Sequence, residues 1–506
     1  MIVTGSAVSG DLTLKARVVV VGSGPGGATA AAVLAEAGND VIVLEEGPYV
    51  TSADLTQREG EMMGLLYQEG GTRSTADKGV TILHGRVVGG GSVVNHLICF
   101  RTPDRLLDLW AREGIEDLTP ATMAPRFDRI WEVLNIARIR PDQLNLNNGL
   151  LRRGALALGW EGDCFERNAL NCYGSGFCTI GCAYDAKQSA ALTWLPLASK
   201  AGARIQAEAR VDRVIHDGTR ATGVEGVLLG PDRKPRGHMR VDADVVVVSG
   251  GAIRTPALLL RSGVPDPGGQ IGRNLHLHPG SPVVGHFPDL QVDPFDGILQ
   301  GFHVSEFSWP LAGHPIDALL EGVSGPPGVG STVVFGLGEE HAANMARFPH
   351  FAICGVLLRD EGAGRVTVDG AGNPKVDYTI SEPDAKRLRE ASKRAMEAYF
   401  AAGAAECYTG HVRPFRATST SGVVALDGWG YGPGEVGIIS YHQMGTVRMG
   451  GDRQRHAADP DGRLWGLENV YVADSSLFPT ASGVNPQITV YGMAMRVAER
   501  LRDRLG

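Results

Sequence analysis

The sequence is poor in cysteine. It has seven in 506 residues, an odd number. A secreted disulfide framework needs a dense, even set, so that class is excluded. It also lacks a long apolar run: none approaches the roughly 18 residues that a membrane-spanning helix needs. It lacks an excess of positive charge, with 48 Lys and Arg against 56 Asp and Glu and a formal net charge of −8. Binding to a phosphate backbone needs clustered bases, so nucleic acid is not an expected partner. The first seventeen residues lack the unbroken apolar core of a signal peptide. Together these absences predict a soluble protein of a reducing, cytoplasmic compartment with no transmembrane segment. Peripheral membrane contact stays open.

What is abundant is glycine, 69 of 506 residues or about 14%, twice the usual share. No Gly-X-Y period runs through it. In a globular chain such an excess belongs where backbone turns sharply or must approach a ligand closely.

The first such place is near the N-terminus. Residues 17–22 read as a buried parallel strand, 25–37 as a helix of small residues closed by Gly38, and 41–45 as a second strand. Between strand and helix, Gly22-Ser23-Gly24-Pro25-Gly26-Gly27 is a G-x-G-x-x-G, and Glu45 follows Gly24 by 21 residues. That context is the dinucleotide fingerprint. Gly22 permits the tight turn, Gly24 admits the pyrophosphate to the backbone, and Gly27 lets helix and strand pack. The helix N-terminus supplies N–H donors, and Glu45 can accept from a ribose hydroxyl. The fingerprint alone does not choose between NAD and FAD.

Residues 242–250 and 469–473 repeat the buried-strand pattern, as one sheet built from distant segments would. Residues 348–358, 364–369 and 375–380 read as strands, and 383–402 as an amphipathic helix. The stretch 286–345, rich in Gly, Pro and His, reads as long loops or a lid. The fold class expected is α/β: a Rossmann-type domain with an inserted α+β substrate domain on an antiparallel sheet.

Three further stretches carry a resemblance. His84 through Asn95 (HGRVVGGGSVVN) resembles the first signature of the glucose–methanol–choline (GMC) oxidoreductases. Ser249 through Pro256, extended to Ser262-Gly263, resembles the second. Tyr441 through Thr446, with Val472 through Ser476 and Gly483 through Gln487, is similar to the family's active-site and flavin-closing segments. The motifs Asn171 to Ser189, Asn274 to Pro279 and His442 to Thr446 resemble the long-chain (fatty) alcohol oxidase branch. Eukaryotic members of that branch carry membrane-associated N-terminal extensions that are not seen here.

The resemblance implies FAD and a discontinuous FAD-binding domain, over 12–105, 185–280 and 435–506. Residues 106–184 and 281–434 would form the substrate-binding domain and lid loops. Gly89, Gly90, Gly91, Ser92 and Asn95 would meet the cofactor, as would Asp474, Pro486 and, through its backbone, Val211. Some relatives attach FAD through a histidine just before that asparagine. Here Val94 stands there, so noncovalent FAD is expected.

The resemblance also places His442 as the base and Asn485 beside it. The chemistry agrees. Imidazole titrates near neutrality and can take a hydroxyl proton, while a carboxamide can donate to developing alkoxide charge. The activity implied is oxidation of a primary alcohol with a long or bulky apolar body, giving the aldehyde and, from oxygen, hydrogen peroxide. A dehydrogenase of alcohols, sugars or sterols that passes electrons to a quinone or other carrier is the alternative. A flavin-binding protein without alcohol turnover, or a light-driven decarboxylase, is disfavoured because neither needs the base.

Cys172, Cys178 and Cys182 form C-x5-C-x3-C. Zinc lacks a local fourth ligand. Structural thiols lead, with an iron–sulfur cluster or a disulfide as the open alternatives. His276-x-His278, with His286 nearby, could present two metal ligands on one strand face, but no third ligand is apparent, so no metal is expected. His411, Arg413 and Arg416 read as solvated surface.

Overall fold

The computed structural model describes residues 2–506. Its first sheet is the doubly wound one. In spatial order it runs Ile2–Val3, Arg204–Gln206, Val41–Leu44, Leu12–Val21, Pro235–Val248, Ala221–Leu229 and Ala209–His216, with Val470–Val472 also on Pro235–Val248. The pairs among the first five strands, and that with Val470–Val472, are parallel. Val18, Val19 and Val20 are fully buried in the middle of it. Each such side chain contributes about 1.5–3 kcal/mol by leaving water, which is why this valine run stays at the centre. All the buried-strand patterns of the sequence, near residues 20, 245 and 471, converge here.

The helix Pro25–Glu36 starts with Gly24 as N-cap and Pro25 at its first position, where the missing N–H costs nothing. Ten of its twelve residues are buried. Small side chains let it sit between the sheet and the C-terminal helix Gln487–Leu505.

A second sheet is antiparallel. Its order is Arg416–Ala417, Glu406–Thr409, Gly280–His286, Phe351–Leu358, Ala318–Val323, Gln300–Val304 and Gly162–Cys164. The amphipathic helix Glu382–Ala401, capped by Ser381, packs on it through Leu388, Ala391, Ala395 and Tyr399. Two short strands, Thr81–Ile82 and Ile439–Ser440, pair with each other and join the start of the internal strand Gly280–His286 through Gly280.

The stretch 286–345 differs from the sequence expectation. It contains the strands Gln300–Val304 and Ala318–Val323 and the helix Glu339–Ala346. Every residue of both strands is buried except Val323, which is partly so. Short strands buried on both faces show no alternation, so the surrounding Gly and Pro hide them. No helix among the described residues is long and apolar enough to cross a membrane.

Candidate active site and cofactor cleft

A cavity of about 420 Å³ is lined from both sheets. Its walls bring the fingerprint turn (Gly22, Gly24), the first-signature glycines Gly90 and Gly91, and His442 with Asn485 into one space. Glu45, Ser92, Asn95, Val211, Asp474 and Pro486 also line it. Of the expected site residues only Gly27 and Gly89 do not.

Those two shape the turn. A Cβ on Gly27 would lie 1.9 Å from the Gly22 carbonyl oxygen, so glycine alone lets the helix reach the strand. Gly89 has φ +95° and donates its N–H to Ser23 Oγ at 3.0 Å. Gly26, not singled out by the fingerprint, is as tight: its Cβ would meet Ala473 O at 1.8 Å. Gly91 is the opposite case. Nothing lies within 4 Å of a Cβ placed there, and the residue is exposed to the cavity. Backbone that opens onto the cleft at Gly91, beside the N-terminus of the helix Pro25–Glu36, is a cradle for a dinucleotide. The donor set fits FAD.

The polar side chains around this cradle are fixed in advance. Glu45 accepts from Ser23 N (3.0 Å) and Ser23 Oγ (2.7 Å) through Oε2, and from Gly47 N (2.8 Å) through Oε1. Burial raises its carboxyl pKa. Asp474 accepts from Gly251 N, Thr255 Oγ1 and Ser476 N, which ties the second signature to the C-terminal segment. Its side chain also caps the turn Ser475–Leu477. Ser92 Oγ donates to Gly89 O and accepts from Ala190 N. Asn95 Nδ2 donates to Gln487 Oε1 at 2.5 Å. The carbonyl of Val211 accepts from Arg261 at 2.7 Å.

Sequence reasoning missed Lys187. Its ammonium donates to the carbonyls of Val93, Asn95 and Cys178 at 2.6–2.8 Å. Burial brings its pKa down to about 8. It ties the first signature to the cysteine segment.

The reacting end is built by register. His276 and Met444 exchange both backbone hydrogen bonds at 3.0 Å. In an antiparallel pair the residues two steps on, His278 and His442, then face one another. Their Nδ1 atoms are 3.4 Å apart and their rings cross at 87°. Gly483 N–H donates to His278 Nε2 at 2.9 Å. Burial brings the His278 pKa down to about 4, so its ring is neutral with the proton on Nδ1, aimed at His442. Burial, reinforced by His278, holds His442 well below its ordinary pKa, so it too is neutral. Behind them, Asp360 accepts from the backbone N–H of Leu277 and His278 and lies 3.7 Å from His276 Nδ1. His276 and His278 therefore brace the site. Among the described residues no group of three or more His, Cys, Asp or Glu side chains could hold a metal.

Asn485 lines the same cavity, just before the helix Gln487–Leu505. It is hydrogen-bonded to Glu321, a cavity residue of the second sheet that sequence reasoning also missed. The one available signal was a lone acid in an apolar strand, ALLEGV. His84 lines the cavity as well, with Nδ1 3.3 Å from Gln443 Oε1.

Cys172 is exposed, Cys178 and Cys182 are half-buried, and all three are free thiols. His411 is buried, its Nε2 bonded to Gly430 O, and so is not the surface residue the sequence suggested.

Comparison with known proteins agrees with this geometry. Residues 63–280 and 360–494 match the models of the N- and C-terminal parts of GMC oxidoreductases, and 17–81 match an FAD binding domain. A GMC-type oxidoreductase of Mycobacterium tuberculosis is 38% identical over 504 residues, covering 98% of this chain and 77% of its own. A long-chain-alcohol oxidase of Arabidopsis thaliana, FAO3, is 31% identical over 97% of this chain and 68% of its own. The crystal structure of pyridoxine 4-oxidase from Mesorbium loti superposes with a TM-score of 0.69, covering 96% of this chain and 99% of that one at 19% identity. The cofactor cleft, the two-sheet architecture and these matches lead to one conclusion: the chain belongs to the GMC oxidoreductase family, FAD-dependent oxidoreductases acting on alcohol-type donors.

Proposed function

We propose that this protein oxidises a primary alcohol with a long-chain or bulky apolar body to the aldehyde, with oxygen reduced to hydrogen peroxide. The observation that carries the reading is that neutral His442 and the carboxamide Asn485 line one cavity that also has an aliphatic stretch of wall. Val323, Val329, Val333, Ile353, Val356 and Leu357 line it there. The likeness to the Arabidopsis thaliana long-chain-alcohol oxidase supports the same donor class.

Bound FAD supplies the acceptor for the hydride from the alcohol carbon. The chain's residues handle the oxygen and its proton. In the tautomer described above, His442 carries its proton on Nε2 and donates it to the alcohol oxygen. To act as base at Nε2, His442 needs its own proton on Nδ1. His278 must then move its proton to Nε2 and give up the bond from Gly483 N–H. Leaving that buried donor unpaired costs about 1–3 kcal/mol, which binding of the alcohol has to supply. Asn485 Nδ2–H donates to the oxygen as negative charge grows on it, a contact stronger in the transition state than in the ground state.

Two measurements test this. Anaerobic addition of a chain-length series of primary alcohols should bleach the visible flavin band, fastest for long or bulky apolar members. Admitting air should then restore the colour within seconds and produce peroxide. No bleaching by any alcohol rejects the activity; slow recolouring by air, made fast by a quinone, rejects the oxidase in favour of a dehydrogenase. We also propose that the cofactor is held noncovalently, because Val94 offers no nucleophile beside Asn95. Acid denaturation should release all of the flavin into the supernatant, and flavin retained on the precipitated chain would overturn this.

A further inference from the structure

Glu321 has no role in the chemistry above, yet it is an acid buried in the wall of the cavity. It lies on the strand Ala318–Val323, hydrogen-bonded between Gln300–Val304 and Phe351–Leu358 in the second sheet. The side chain is 5% exposed. No cation faces it. From Gln300–Val304 it meets Gln300, whose Nε2 donates to Glu321 Oε2 at 3.0 Å. From Phe351–Leu358 its register partner is Gly355, which offers no side chain. From the segment before the C-terminal helix it meets Asn485.

The bonds behind Gln300 have a fixed direction. Its Nε2 donates to Glu321, so its Oε1 accepts from His96 Nδ1–H at 3.1 Å. His96 is neutral, its pKa brought down to about 3 by burial. Its Nε2 therefore accepts from Thr179 Oγ1 at 2.7 Å. The chain from Thr179 through His96 and Gln300 ends on Glu321 and holds it rigidly. Two atoms at this point have no hydrogen-bond partner among the described residues although both are buried: Glu321 Oε1 and Asn485 Oδ1. Two buried acceptors left facing an unmet need are costly. A single proton between them removes both deficits.

We propose that Glu321 is a positioning residue that holds Asn485 as a carboxylic-acid–carboxamide pair, its O–H donated to Asn485 Oδ1 and its carbonyl oxygen accepting one Asn485 amide hydrogen. The second amide hydrogen is then presented to the substrate oxygen. Burial without a cationic partner agrees with this, since it raises the carboxyl to about 8 and keeps the proton on at neutral pH. Above that pH the carboxylate faces Asn485 Oδ1, two acceptors oppose each other, and the amide loses its orientation. The inference deepens the proposed function and rests on Asn485 contacting the alcohol oxygen.

The test combines a readout of the pair with a readout of chemistry, on the flavin-loaded protein. Infrared difference spectra at pH 6 should show a protonated carboxyl band that disappears in Glu321→Gln and shifts in Asn485→Leu. Glu321→Leu should slow alcohol-dependent flavin reduction by about 10²-fold with flavin still bound. Glu321→Gln, whose amide offers the same donor and acceptor, should recover at least about tenfold of that loss, and should lack the fall in rate that the wild type shows above about pH 8. Absence of the carboxyl band, or Glu321→Gln no better than Glu321→Leu, overturns the proposal. If the band shifts in Asn485→Leu while that variant still reduces flavin at full speed, the pair stands and the role of Asn485 in alcohol oxidation falls.

Discussion

Replacing His442 by alanine should leave the flavin bound and slow its reduction by alcohol about 10²–10⁴-fold, the range a positioned acid–base group supplies. Flavin binding is spared because none of the bonds that fix Glu45, Asp474, Ser92 and Asn95 involves His442. His278 loses one partner, but its Nε2 keeps the bond from Gly483 N–H, so the wall holds. The effect should appear in the reductive half-reaction, followed by stopped-flow bleaching, and not in reoxidation by air. Because burial, reinforced by His278, holds His442 well below its ordinary pKa, acidification to pH 6 should not abolish wild-type reduction. Undiminished reduction in the alanine variant would remove His442 from the chemistry.

The second large effect separates two glycines that look alike in sequence. Gly26→Ala puts a methyl group 1.8 Å from the Ala473 carbonyl, inside a backbone–backbone contact with no side chain able to yield. Overpacking of this kind costs about 1–3 kcal/mol when the core can shift. Here helix and strand must separate, so the cost should lie at the top of that range or beyond it. The expected result is a Tm lowered by several degrees or insoluble protein, with little flavin retained. Gly91→Ala meets nothing within 4 Å and should fold normally. Its methyl group projects into the cleft and should weaken FAD binding. Thermal melting of the apoproteins separates the two: equal Tm values for both variants would contradict the packing argument.

The same contrast shows why some of the site was legible in the sequence and some was not. The fingerprint is local. Gly22, Gly24 and Gly27 act on each other and on Glu45 within one strand–helix–strand unit, so their spacing carries their role. The second unit of that sheet was legible for the same reason: Val245 to Val248 is a buried run whichever strand pairs with it. The strands Gln300–Val304 and Ala318–Val323 were not legible. They are short, buried on both faces and set among Gly and Pro, so they carry no period. His278 was visible as a residue but not as a role. Read along the chain it pairs with His276 as a metal candidate, whereas its true partner lies 164 residues away.

By itself, then, the sequence determined the FAD-binding unit and the membership of the family, and it singled out His442 and Asn485 as the candidates proposed for the chemistry, because those readings rest on residues close in the chain or on motifs of fixed order. The tertiary structure alone decided what stands around those two residues. The antiparallel register from His276 and Met444 sets His278 against His442. The second sheet carries Glu321 to Asn485, and Lys187 reaches back to the first signature. Each of these contacts joins segments that no local spacing relates. Each involves a buried polar group, whose need for a partner is satisfied only once the two sheets have closed on the same cavity.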